Sequence, residues 1–234
     1  LDAALSSYCR KYTIYLIRHG EACHNVREEA AKKEALATCL AQGLDPDSPQ
    51  AQRLMEDARE KVLEDPSLFD AALSDQGIEQ AEAARAVVQE WTLSGLPEPT
   101  EVLVSPLQRT LLTANIVFPE HPNIRVREEL RERLTGRPAD NRTSALILSR
   151  RPTFSRYSFA RLRLNSFVAF RKAKKLETIS EVDSATKAGT DRRPCHIHHA
   201  MSNESYFSAT EDEDKVRQRA TKLFDLLAES KHET

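Results

Sequence analysis

Two spacings of apolar residues run through the chain. The first is the short apolar run of a strand. Tyr12 to Ile17 (Tyr-Thr-Ile-Tyr-Leu-Ile) is β-branched and aromatic and predicts a buried strand. Glu101 to Val104, ended by Ser105-Pro106, and Asn123 to Val126 predict two more. The second spacing is helical. Ala51, Leu54, Met55, Ala58 and Val62 share one helical face behind Ser48-Pro49, a cap followed by proline in the first turn. Ile78, Ala81, Val88 and Trp91 do the same behind a Ser74 cap. Val216, Ala220, Leu223 and Leu227 form a last stripe, with the acidic run Glu211 to Asp214 at the end where the helix dipole favours negative charge. Strands that alternate with helices predict an α/β domain with a largely parallel sheet.

Two stretches depart from this alternation. Residues 26–70 are a helical excursion, read as a solvated decoration or as a lid over a site. Residues 150–193 hold twelve Lys or Arg against four acidic residues, a local charge of +8, with no sustained apolar period. They read as a basic surface loop, or as a patch for anionic ligands. The expected organisation is one domain over 1–234, with the helical insertion at about 26–70 and a basic irregular segment at about 145–210.

Composition narrows the functional classes. The 234 residues are 40% hydrophobic and 30% charged, with a formal net charge of -2, as in an ordinary globular protein. That balance gives no global reason to expect a nucleic-acid partner. No apolar run approaches the roughly 18 residues that span a bilayer. The N-terminus lacks the basic start and apolar stretch of a signal peptide. Cys9, Cys23, Cys39 and Cys195 fit neither a zinc spacing nor a compact disulfide framework. Reduced thiols in a cytoplasmic protein are the expectation, and no metal or cofactor is called for.

Chemistry concentrates where strands end. Ligands of open α/β sheets bind at the carboxyl ends of the strands, which is where Arg18 and His19 fall. Arginine binds phosphate oxygens as a bidentate fork. At Ser105-Pro106-Leu107-Gln108-Arg109 a strand again ends and a helix begins, with unpaired N–H groups open to an anion and a guanidinium in the first turn. Two such junctions in one sheet can converge on a single phosphate.

Arg18-His19-Gly20-Glu21, with Asn25 six residues after the histidine, resembles the signature of the histidine phosphatase superfamily, which includes the phosphoglycerate mutases. Three further segments are similar to that family in the expected order: Leu73-Ser74-Asp75-Gln76-Gly77 with Gln80-Ala81, Ser105 to Arg109 with Thr113-Ala114, and Leu130-Arg131-Glu132 with Gly136 beyond. The likeness covers roughly residues 12–143, and the long helical excursion looks most like the eukaryotic, fungal- and plant-type phosphatase branch. It implies a three-layer, phosphoglycerate mutase-like sandwich around a mostly parallel sheet. It also implies that His19 attacks a phosphoryl group and forms a phosphohistidine, and that Arg18 and Arg109 hold the equatorial oxygens with Asn25 as a further donor. Glu132 protonates the leaving oxygen, with Glu128 and Glu129 as its rivals. The expected partner is a small phosphorylated substrate.

The likeness fails at two points: residues 145–210 do not read like the family, and a second histidine is missing. Family members carry a second histidine after an apolar strand near the C-terminus. Here the last helical stripe is followed by Glu229-Ser230-Lys231-His232-Glu233-Thr234, with no such strand. Cys195-His196-Ile197-His198-His199 precedes that helix, in the wrong order, and is too compressed for a standard zinc motif. The expectation is a phosphatase lacking the C-terminal strand and second histidine. The alternatives are mutase-type transfer or a catalytically impaired phospholigand-binding module.

Overall fold

Strand β1 (Val102–Val104) and strand β2 (Ile124–Val126) pair in parallel, Val102 against Ile124 and Val104 against Val126, in a computed structural model describing residues 13–160, 162 and 211–229. A parallel pair needs a crossover, and the helix 108–117 between them supplies it. The other edge of β2 is also engaged: the Val126 N–H donates to the Ser158 carbonyl and the Ser158 N–H donates to the Ile124 carbonyl, each at 2.9 Å. Val102, Val104, Ile124 and Val126 pack into one apolar core with Leu111, Leu148, Phe154 and Tyr157. The protein is thus α/β with a parallel sheet, as the alternation predicts.

The helices begin where side chains cap them. Helix α1 is Cys23–Ala41 and helix α2 is Pro49–Leu63, and the two pack against each other as the excursion. Ser48 Oγ accepts the Ala51 N–H at the start of α2. Helix α3 (Asp75–Leu93) starts at Ser74, whose Oγ accepts the Gly77 N–H. Of its predicted stripe, Ala81 is buried while Ile78 is 40% exposed. Helix α4 is Gln108–Val117, α5 is the short Ala145–Ser149, and α6 is Glu213–Glu229, which takes up the last predicted stripe.

The expected first strand is corrected. Residues 13–21 form no strand, and Ile14 and Leu16 are 58% and 89% exposed. A buried strand needs ladder partners on its flanks, and among the described residues the only pairing here is the single bridge between Ala22 and Leu73. The basic segment lies outside the described residues from 163 onward, as do Tyr12, Cys9, the Cys195 to His199 cluster and His232. No helix among the described residues is long and apolar enough to cross a membrane.

Candidate active site

Residues 18–22 are held in place by two helix starts. From α3 and its cap, the Ser74 N–H donates to the Glu21 carbonyl at 2.9 Å and Ser74 Oγ donates to Glu21 Oε1 at 2.6 Å. The Glu21 N–H donates to Gln80 Oε1 at 2.8 Å. From α4, Thr113 Oγ1 accepts the Gly20 N–H at 3.2 Å and itself donates to the Arg109 carbonyl at 2.8 Å. The segment Leu73 to Ala81, which the sequence marks only as family-like, therefore acts as the mount for the His19 loop. A Cβ built on Gly77 would lie 2.0 Å from the Glu21 oxygen, and one on Gly20 would lie 2.2 Å from the Gly77 oxygen. Both glycines are required because two backbones cross there. Gly77→Ala must push them apart and is expected to cost about 1–3 kcal/mol. Urea denaturation checks this, and an unchanged midpoint contradicts it.

His19 is half-buried, and its Nδ1 lies 2.7 Å from the Gly20 carbonyl oxygen. A carbonyl oxygen only accepts, so Nδ1 carries the proton and the neutral ring keeps its lone pair on Nε2. Burial lowers the imidazole pKa below its ordinary value. The Arg109 and Arg18 charges lower it further, against the Gly20 carbonyl and Glu132, which raise it. The three charged residues predicted around His19 are therefore close enough to act on its charge.

Arg109 is 2% exposed. One terminal nitrogen donates to the Ala139 carbonyl at 2.8 Å and the other stands 3.5 Å from Asp140 Oδ1. Its Nε is buried and has no hydrogen-bond partner among the described residues. The start of α4 is clamped by Asp70, whose two carboxylate oxygens accept the Gln108 and Thr143 N–H groups, each at 2.8 Å. Arg18 is exposed. Asn25 turns its Oδ1 back to the Ala22 N–H at 3.2 Å, so its oxygen serves the start of α1 and its amide N–H groups remain as donors.

The rival carboxylates separate by their partners. Glu128 binds Arg131 and Arg142 at 2.9 and 2.8 Å, and Glu129 binds Lys222 at 3.0 Å. Glu132 is exposed and, among the described residues, accepts one hydrogen bond, from the Arg133 N–H at 3.2 Å. Its loop is gripped by α6. Arg219 donates to the Arg131 carbonyl at 2.6 Å and binds Glu211, and Glu211 accepts the Leu134 N–H at 3.1 Å.

His24 is the member that motif reading missed. It lies in the first turn of α1, five residues after His19. Burial, Arg109 and then His19 push its pKa down to about 4, against Glu28 and Glu132.

Residues 66–168 match the family model described as the histidine phosphatase superfamily (branch 1). This stretch is a histidine phosphatase segment. Its fold is the phosphoglycerate mutase-like α/β fold of that superfamily. The histidine phosphatase segment takes in the Ser74 mount, Arg109 and Glu132, and begins C-terminal to Arg18, His19, His24 and Asn25. No curated protein matches the chain, and no solved structure does. The match over this stretch supports phosphatase or phosphoryl-transfer chemistry in general.

Proposed function

We propose that the chain is a phosphatase of small phosphomonoesters, of the eukaryotic phosphatase-type branch, working through a phosphohistidine on His19. The observation that carries this is the His19 ring itself. Its Nδ1 proton is engaged by Gly20 and its Nε2 lone pair is left as the nucleophile, under the charges of Arg109 and Arg18. Little covalent chemistry falls to a protein that transfers phosphoryl groups, so positioning and charge do most of the work. Nε2 attacks phosphorus in line, the P–O bond to the alcohol breaks, and Glu132 gives the leaving oxygen its proton. The resulting carboxylate then takes a proton from the water that attacks phosphohistidine and frees His19. Arg18 and Arg109 stabilise the equatorial oxygens, with the Asn25 amide as an added donor.

The direct test is trapping. After mixing with an aryl phosphate and quenching in alkali, the protein is expected to carry one alkali-stable, acid-labile phosphoryl group on His19. Turnover without such a group sinks the phosphohistidine, and no turnover at all sinks the phosphatase.

The pH profile has a defined sign. A lowered His19 pKa keeps the nucleophile neutral as pH falls past 6.5, so the acid limb of kcat/KM is expected below that value. Arg18→Met removes a positive charge and should move the limb upward on the same substrate. Movement downward would contradict the placement of Arg18.

Glu132→Gln is expected to slow poor alkyl leaving groups by about 10²–10⁴-fold, the usual range for a positioned acid. A good aryloxide leaving group needs little protonation and should lose far less. Equal losses on both would remove Glu132 from the acid role.

A further inference from the structure

His24 is a half-buried titratable group near His19 to which the proposed mechanism gives no task. Its Nδ1 is buried and has no hydrogen-bond partner among the described residues. Leaving a buried polar nitrogen unmatched carries a cost that proteins generally avoid. Near it lies a second unmatched donor, the Nε of Arg109, whose guanidinium acts on the charges of both His24 and His19. Two unmatched nitrogens, beside two imidazoles that share the charge of Arg109, describe a place made for a group with several acceptor oxygens.

We infer that His24 is a second imidazole of the oxyanion site, donating a hydrogen bond through Nδ1 to the bound phosphoryl group and taking up a proton when that group arrives. This rests on the phosphatase reading for its catalytic consequence, but not for the binding itself. The charged and titratable groups acting on the ring are Arg109, His19, Glu28 and Glu132. Without an anion beside it, the Arg109 charge disfavours the imidazolium. A dianion between Arg109 and His24 reverses the local potential and favours it, so binding and protonation promote each other.

Sulfate is the probe, since it is tetrahedral, doubly charged and does not titrate near neutrality. The His24 ring, followed by NMR in the full chain, should titrate at a higher pH with sulfate than without it. His24→Phe should bind sulfate about tenfold more weakly at pH 5, as expected for one lost charge-assisted hydrogen bond. His24→Gln keeps a donor but cannot take up a proton. It should bind more tightly than the Phe variant while losing the tightening at low pH. An unmoved His24 titration overturns the inference. So does equal affinity in wild type and His24→Phe, or absence of sulfate binding by the wild type. Turnover is measured alongside. If it proves independent of His19, the phosphatase reading fails while the sulfate titrations still decide the role of His24.

Discussion

His19→Ala is expected to lower hydrolysis of an aryl phosphate by at least about a thousandfold, with the fold intact. The size follows from the role. A group that forms the covalent intermediate has no substitute within the site, and removing such a nucleophile elsewhere costs three to six orders of magnitude. The fold should survive because His19 is only half-buried and its ring hydrogen-bonds to the carbonyl of its own neighbour, Gly20. The loop stays pinned without the ring, through Ser74, Gln80 and Thr113. Phosphate binding should persist in this variant, since Arg109 is anchored independently by Ala139 and Asp140. Steady-state kinetics, with sulfate binding and far-UV circular dichroism as controls, separate the cases. Equal rates for wild type and His19→Ala end the enzyme reading and leave a phospholigand-binding module.

The parts legible in the sequence are those whose signal is local. Ser48-Pro49 and Ser74 cap helices because a hydroxyl two or three residues before an N–H is a property of the chain alone. The β1 and β2 strands are legible as short valine- and isoleucine-bearing runs, the first ended by Ser105-Pro106. Tyr12 to Ile17 carries the same local signal, yet its described residues form no strand, because strand formation depends on neighbours that the run does not contain. The role of Gly20 and Gly77 was also illegible, since it arises where two distant backbones cross. His24 escaped because a histidine beside an asparagine in a helical stretch looks like surface. Only burial and the nearness of Arg109, 85 positions away in sequence, give it chemistry. The family likeness names Glu132 ahead of Glu128 and Glu129, and what the sequence does not show is that arginine and lysine partners occupy those two rivals.

Asp70→Ala is expected to be the most damaging change to stability, at about 3–8 kcal/mol. Asp70 is 1% exposed and joins three segments. Its carboxylate accepts the Gln108 N–H at the start of α4 and the Thr143 N–H of the loop beyond Asp140, its carbonyl accepts the Gln108 side chain at 3.0 Å, and its own N–H donates to the Pro138 carbonyl at 3.2 Å. Truncation strands two buried N–H groups, each costing about 1–3 kcal/mol. The backbone adds to this. Asp70 has φ of 47°, in the left-handed region, which aspartate tolerates and alanine resists by about 1–2 kcal/mol. Asp70→Gly relieves the backbone penalty but not the orphaned donors, so it should recover only part of the loss. Asp70→Asn sets an amide N–H₂ against one of the two N–H donors and should fall between wild type and alanine. Urea midpoints of the three variants order these contributions. Because Gln108 precedes Arg109, the loss is not confined to stability: the variant that folds best, expected to be Asp70→Asn, should still bind sulfate more weakly than wild type. Undiminished sulfate affinity there would mean that the α4 start holds Arg109 without help from Asp70.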